Sequence, residues 1–85
     1  MKGAEIKSEE SFHSQIKEVL ELPEYYGENL DALWDCLTGW IDTPLKLVWI
    51  DFENSKANLG EFADKALNLF KDAEKEVEGF KIECS

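Results

Sequence analysis

The chain contains no arginine: its nine basic residues are all lysines, against 19 aspartates and glutamates. The resulting formal net charge of -10 at pH 7 repels nucleic acid and anionic membranes and attracts basic proteins. Arginine is also the usual residue for bidentate recognition of phosphate. The composition therefore argues against direct binding of nucleic acid. It leaves two explanations of the acidity, a basic protein partner or solubility alone.

Cysteines and long apolar runs are also scarce. Cys36 and Cys84 are too few for a disulfide scaffold and their spacing resembles no zinc site, so we expect free thiols. The first ten residues contain no apolar run suited to a signal peptide, and no segment approaches membrane-spanning length. We therefore expect a cytoplasmic protein with no membrane association and no cofactor.

Residue patterns typical of catalysis are missing. The chain has no phosphate-cradling glycine loop and no nucleophile motif, and its one histidine, His13, is expected at the surface. Asp31 and Asp35, four residues apart on one helix face, could serve acid–base chemistry or bind a divalent cation. Two carboxylates on one helix, however, converge on a convex surface rather than a cleft. The sequence predicts a protein that is not an enzyme.

The length of 85 residues fits one domain, residues 1–85, with one modest core. Helices are predicted after N-caps at Ser8 or Ser11, Asn29 and Asp51, and a longer amphipathic helix is predicted before a stop at Gly79. Residues 23–28 form a connecting loop in which Tyr25 and Tyr26 are predicted to be exposed.

Two segments are predicted to be strands. Residues 45–50, "LKLVWI", are rich in branched and aromatic residues, with Lys46 as the only polar one. This composition predicts a strand buried on both faces, which favours a parallel sheet covered by helices. Residues 80–84, "FKIEC", alternate apolar and polar as expected of a final strand.

The second predicted helix has more apolar surface than a core contact needs. At about 100° per residue, its buried stripe comprises Ala32, Leu33, Cys36 and Leu37. The other side carries Leu30, Asp31, Trp34, Asp35 and Thr38. Two interpretations stay open: Trp34 and Leu30 complete the core beside a solvated acidic face, or these residues form an exposed patch with an aromatic anchor flanked by carboxylates, as in protein interfaces.

Residues 22–40, "LPEYYGENLDALWDCLTGW", together with "PL" at 44–45 and "FENSK" at 52–56, closely resemble the barstar family of intracellular inhibitors of the secreted bacterial ribonuclease barnase. The match is dense over residues 22–56 and looser through the fourth helix. It implies an α/β fold with a three-stranded parallel sheet covered by about four helices. It also implies a protein that binds a basic guanyl-specific ribonuclease 1:1, with aspartates in place of RNA phosphates. Because the binding helix must stay exposed, we expect the free protein to be a monomer.

The resemblance implies partner contacts along and around the second helix, with Asp31 and Asp35 as the principal acidic ones. Asp42 stands where barstar has a longer glutamate, and Asp72 matches only through a short local pattern. The matched positions are Tyr25, Asn29, Leu30, Asp31, Trp34, Asp35, Thr38, Gly39, Trp40, Asp42 and Asp72.

The chain departs from the family pattern at its ends. Only Met1 and Lys2 precede the glycine aligned with the end of the first barstar strand, so "KGAEI", residues 2–6, is either a displaced first strand or the remnant of a truncated one. We expect the displaced strand. A second functional hypothesis also stands: an acidic binding module or nucleic-acid mimic directed at another basic protein.

Overall fold

A computed structural model describes residues 1–85. It confirms the α/β class, the four helices and the two strands predicted above. None of the helices combines the length and apolar character needed to cross a membrane. In chain order the elements are a 3-10 turn at Gly3–Glu5, α1 at Glu9–Val19, α2 at Leu30–Gly39, β1 at Leu45–Trp49, α3 at Phe52–Leu59, α4 at Glu61–Glu76 and β2 at Phe80–Cys84.

The N-caps of α1 and α2 lie where the sequence predicts them. The Ser8 hydroxyl accepts a hydrogen bond from the Ser11 amide in a capping box, and Asn29 Oδ1 accepts one from the amide of Ala32 at 2.8 Å. Each cap satisfies a backbone donor that has no partner within its helix. The predicted side-chain cap at Asp51 is wrong: Asp51 precedes α3 with a φ of 54° and makes no side-chain cap bond.

The sheet has two parallel strands, β1 and β2, in a register that places Leu45 opposite Phe80 and Trp49 opposite Cys84. The predicted third strand at residues 2–6 is wrong. Only one parallel bridge forms there, between Lys2 and Ile50. After the Gly3 amide donates to the Ile50 carbonyl at 2.7 Å, the pairing stops and the chain folds into the 3-10 turn. The amides of Glu5 and Ile6 donate within the segment, to the carbonyls of Lys2 and Gly3, and not to β1.

Helices cover one face of this sheet, so the prediction that β1 is buried on both faces is also wrong. Leu47 and Trp49 point into the core, whereas Lys46 and Ile50 are exposed and Val48 is half-buried. Aromatic rings surround Trp49, with ring centroids 4.8 Å away for Phe52, 5.6 Å for Phe12 and 6.0 Å for Phe70. On the open face Lys46 and Glu83 form an ion pair of 2.7 Å.

Polar groups near the core and at the sheet edge are satisfied within the chain. Trp49 Nε1 donates to the Ser55 hydroxyl at 2.9 Å, and that hydroxyl donates to the Gly3 carbonyl at 3.0 Å. In β2 the amide of Ile82 donates to Glu74 Oε2 of α4 at 2.9 Å. A side chain of α4 thus takes the place of a further strand at this position.

Candidate functional site

Helix α2 is held by one face and open on the other. Leu33 and Leu37 are fully buried, which confirms the centre of the predicted buried stripe, whereas Ala32 and Cys36 at its edge are only half-buried. We call the opposite side, formed by Leu30, Asp31, Trp34, Asp35 and Thr38, the acidic face. Its two aspartates and Thr38 are exposed. Leu30 and Trp34 are half-buried against the core, so each of the two interpretations of these side chains is partly correct.

A groove of about 410 Å³ lies between α2 and α4 and adjoins the acidic face. It brings Asp72 of α4 to the same site as Asp31 and Trp34 of α2, although only a short sequence pattern connected Asp72 to them. Its lining residues are Leu30, Asp31, Trp34, Lys65, Asn68, Leu69 and Asp72. We call it the α2–α4 groove.

Two predicted contact residues, Asn29 and Thr38, also stabilise α2 itself. Besides accepting the cap bond, Asn29 donates from Nδ2 to the Gly27 carbonyl at 3.2 Å. The Thr38 hydroxyl donates to the Trp34 carbonyl at 2.8 Å. Both side chains remain exposed, but these bonds occupy part of their hydrogen-bonding capacity.

An aromatic pair joins the loop before α2 to the residue that follows the helix. Tyr25, in the loop before the helix, and Trp40, directly after it, pack edge to face with ring centroids 6.3 Å apart. Tyr25 is 79% exposed and Trp40 is 47% exposed. The Trp40 indole is fixed by a bond from Nε1 to the Glu21 carbonyl at 3.2 Å, and the exposed Gly39 beside it leaves open space. The prediction that Tyr25 is exposed is confirmed.

Asp42 lies apart from the acidic face. It lines a different depression of about 510 Å³, together with Trp40, Ile41 and residues at the end of α1. Of the predicted acidic contacts, Asp31 and Asp72 therefore share one groove, Asp35 is exposed on the same helix as Asp31, and Asp42 is near Trp40.

His13 and Tyr26 are buried, and the predictions that both lie at the surface are wrong. His13 is 4% exposed and Tyr26 is 5% exposed, and His13 Nδ1 lies 2.7 Å from Tyr26 Oη. Burial raises the pKa of Tyr26, with Cys36 and Glu28 acting in the same direction. Burial also lowers the pKa of His13, while Glu28 and Glu9 oppose that shift. The pair therefore favours neutral side chains joined by one hydrogen bond.

The remaining reactive side chains form no site. Cys36 and Cys84 are free thiols, as predicted. Burial raises the pKa of both, with Asp35 adding to the effect at Cys36 and Lys71 opposing it at Cys84, so both thiols lose nucleophilic character. No three His, Cys, Asp or Glu side chains are placed to hold a metal ion.

The fold and the acidic face define a small α/β binding protein whose exposed helix combines carboxylates with aromatic side chains. The family model described as "Barstar (barnase inhibitor)" matches residues 1–85. A Bacillus subtilis (strain 168) protein named "Putative ribonuclease inhibitor YrdF" is 48% identical over 81 residues, which cover 94% of this chain and 89% of that protein. The chain belongs to the Barstar family, a family of ribonuclease inhibitors, and is an inhibitor rather than an enzyme.

Proposed function

We propose that this protein inhibits a basic, guanyl-specific ribonuclease of the barnase kind by covering its active site with the acidic face of α2. The observation that carries the proposal is the state of Asp31 and Asp35 in a chain of this family. Both carboxylates are exposed, and neither takes part in any of the four ion pairs of the protein. Two unpaired anions on a rigid helix are available to the cations of a partner.

The acidic face would act by resembling the substrate of the nuclease. A ribonuclease holds RNA phosphates with basic side chains, and carboxylates at matching positions offer the same charge without a bond to cleave. The half-buried Trp34 beside them provides apolar contact area of the kind that dominates interface energetics. The net charge of -10 favours encounter with a basic enzyme.

The proposed complex contains one inhibitor and one nuclease, because the chain has a single acidic face and that face must be free to bind. The proposed compartment is the cytoplasm, which suits a protein with two free cysteines, since thiols stay reduced there. Inhibition needs no chemistry from the inhibitor, only exclusion of RNA.

Titration of purified barnase tests the proposal. We expect its cleavage of RNA to fall linearly with added protein and to stop at one equivalent. A basic ribonuclease of another fold should keep its activity, since charge alone does not give the required fit. An acidic module directed at a different basic protein would leave barnase active at one equivalent, and that result would overturn the proposal.

A matched pair of variants tests the role of the acidic face. Asp31→Asn with Asp35→Asn should abolish stoichiometric inhibition. Glu10→Gln with Glu18→Gln removes the same charge from exposed positions on α1 and should preserve it. Equal inhibition by both double variants would contradict the assignment of the site to α2.

A further inference from the structure

A second groove, of about 570 Å³, lies beside the acidic face, between the start of α1, the loop before α2 and the start of α4. We call it the histidine groove because His13 forms part of its wall. We propose that it is a second docking subsite, which receives a basic loop of the ribonuclease: one Lys or Arg side chain together with a backbone carbonyl. This inference rests on the proposed function and extends the inhibitor's contact beyond α2.

The position of the histidine groove is the first argument. It shares Leu30 and Lys65 with the α2–α4 groove, so the two depressions adjoin each other at the amino-terminal end of α2. A globular partner seated on Asp31 and Trp34 would extend over this end. The histidine groove is therefore continuous with the proposed interface.

The charge of the groove is the second argument. Glu9, Glu28 and Glu61 line it, each from a different element, against the single cation Lys65. All four are exposed, and none belongs to an ion pair of the free protein. The groove has an excess of negative charge with no partner in the chain. Leu30 and Phe62 supply apolar wall for the aliphatic part of a long basic side chain.

The third argument is an unused hydrogen-bonding atom on a buried side chain. His13 bonds to Tyr26 through Nδ1, whereas Nε2 makes no hydrogen bond within the chain. No fully buried side-chain nitrogen or oxygen lacks a partner, so Nε2 has access to solvent, and the opening that His13 lines is this groove. The ring is 4% exposed and therefore presents little more than this atom.

The tautomer of His13 determines what Nε2 can bind. Nδ1 and the Tyr26 hydroxyl lie 2.7 Å apart, and the tautomer of His13 decides which of them donates. Because the hydroxyl has no other acceptor in the chain, we infer that it donates to Nδ1. A neutral imidazole carries one N–H, which is then on Nε2 and points into the groove as a donor. A backbone carbonyl of the partner can accept this bond, while the carboxylates around it hold the cation of the same loop.

Two triple variants with equal charge change test the subsite against barnase. Glu9→Gln, Glu28→Gln and Glu61→Gln remove the groove carboxylates. The control variant, Glu10→Gln, Glu18→Gln and Glu53→Gln, removes exposed carboxylates outside the groove. Glu10 and Glu53 lie in the first turns of α1 and α3, so the control also loses two carboxylates that interact with a helix N-terminus, as the groove variant does. Contacts of a desolvated charge act mainly on dissociation, and remote charges on association. We expect dissociation about tenfold faster for the groove variant and changed less than about twofold for the control.

A measurement on the unmodified protein supplements these variants. His13 is the only histidine, so its imidazole N–H gives one nuclear magnetic resonance signal. We expect the proton to be on Nε2, to exchange with solvent in the free protein and to become protected in the complex with barnase.

Three outcomes separate the two proposals. If the unmodified protein does not inhibit barnase, the proposed function fails and the subsite fails with it. If it inhibits barnase and Asp35→Ala impairs inhibition, but both triple variants dissociate at the same rate, only the subsite is overturned. A proton on Nδ1, or unchanged exchange of the Nε2 proton in the complex, also overturns the subsite.

Discussion

Asp31 of α2 and Asp72 of α4 both line the α2–α4 groove, so the carboxylates of this groove come from two helices. The α2–α4 contact fixes the separation of these carboxylates before a partner arrives. A site preorganised in this way loses little conformational freedom on binding.

Replacing Asp35 should separate binding from folding. Asp35→Ala would leave cations of the nuclease buried and unpaired in the complex. Such a loss costs about 2 to 5 kcal/mol, a magnitude known from interfaces that include the barnase–barstar complex itself. In the free protein Asp35 is exposed and lies one helical turn from Asp31. Removing this like-charge contact should leave stability unchanged or raise it by about 0.2 to 0.5 kcal/mol.

Urea unfolding and a barnase inhibition titration on the same variant measure both effects. Glu18→Ala, which removes an exposed carboxylate from α1 that belongs to no ion pair, is the control and should change neither. Unimpaired inhibition by Asp35→Ala, or a stability loss above about 1 kcal/mol, would show that Asp35 has a structural role instead.

Salt should slow association with barnase and leave dissociation nearly unchanged. The charge of -10 attracts a basic enzyme over long range, and salt screens this attraction with a Debye length of about 10 Å at 0.1 M. Barnase and barstar are the usual example of such steering, so the expectation extends a known case to a relative. Stopped-flow mixing at increasing salt measures the two rates. An association rate that does not change with salt concentration would contradict electrostatic steering.

Acid should destabilise the fold through His13. Burial lowers the pKa of the folded imidazole below its ordinary value of 6.5, so the unfolded chain takes up a proton at a higher pH than the folded protein. Stability from this group is complete above about pH 6.5 and is lost as the pH falls towards the folded pKa, at no more than about 1.4 kcal/mol per pH unit.

The measurement is the free energy of urea unfolding of the unmodified protein and of His13→Asn as the pH is lowered from about 7.5 to about 5. The variant lacks the imidazole, so its dependence on pH should be shallower even if it is less stable throughout. Parallel curves would show that His13 does not contribute.

Gly3 should tolerate no side chain. A Cβ at this position would collide with the backbone carbonyl oxygens of Ile50 and Asp51, which cannot move without disturbing β1 and the start of α3. We expect Gly3→Ala to cost about 1 to 3 kcal/mol. Gly39→Ala is the matched control. It meets no atom within 4 Å and lies at the end of α2, so it should be neutral or stabilising by up to about 1 kcal/mol. Thermal unfolding compares the two.

Local patterns in the sequence predicted α2 and its surroundings well. Asn29 caps the helix, Gly39 ends it, and Leu33 and Leu37 are buried, because capping chemistry and helical periodicity depend on residues close together in the chain. The burial of Trp34 was left open, since its exposure depends on how α4 packs beside it.

Apart from the missing side-chain cap at Asp51, the errors concern contacts between distant residues. His13 is a polar residue next to the buried Phe12, and only the hydroxyl of Tyr26 makes its burial favourable. The sequence around either residue alone does not indicate that it is buried. The burial could have been predicted only by considering that the two polar side chains can bond to each other. The open face of β1 was missed for a similar reason: an apolar run shows that a strand is hydrophobic, but not how many layers of helix cover it.

The hydrogen bond from the Ile82 amide to Glu74 affects whether other chains can pair with the edge of the sheet. An outer strand with unpaired amides is a template on which further chains can polymerise. Here the Glu74 carboxylate of α4 accepts the hydrogen bond of the Ile82 amide and adds negative charge at the edge of the sheet. An approaching strand would have to displace this bonded anion. Helix α4, which supplies Asp72 to the α2–α4 groove, thus also protects the protein from sheet extension at Ile82.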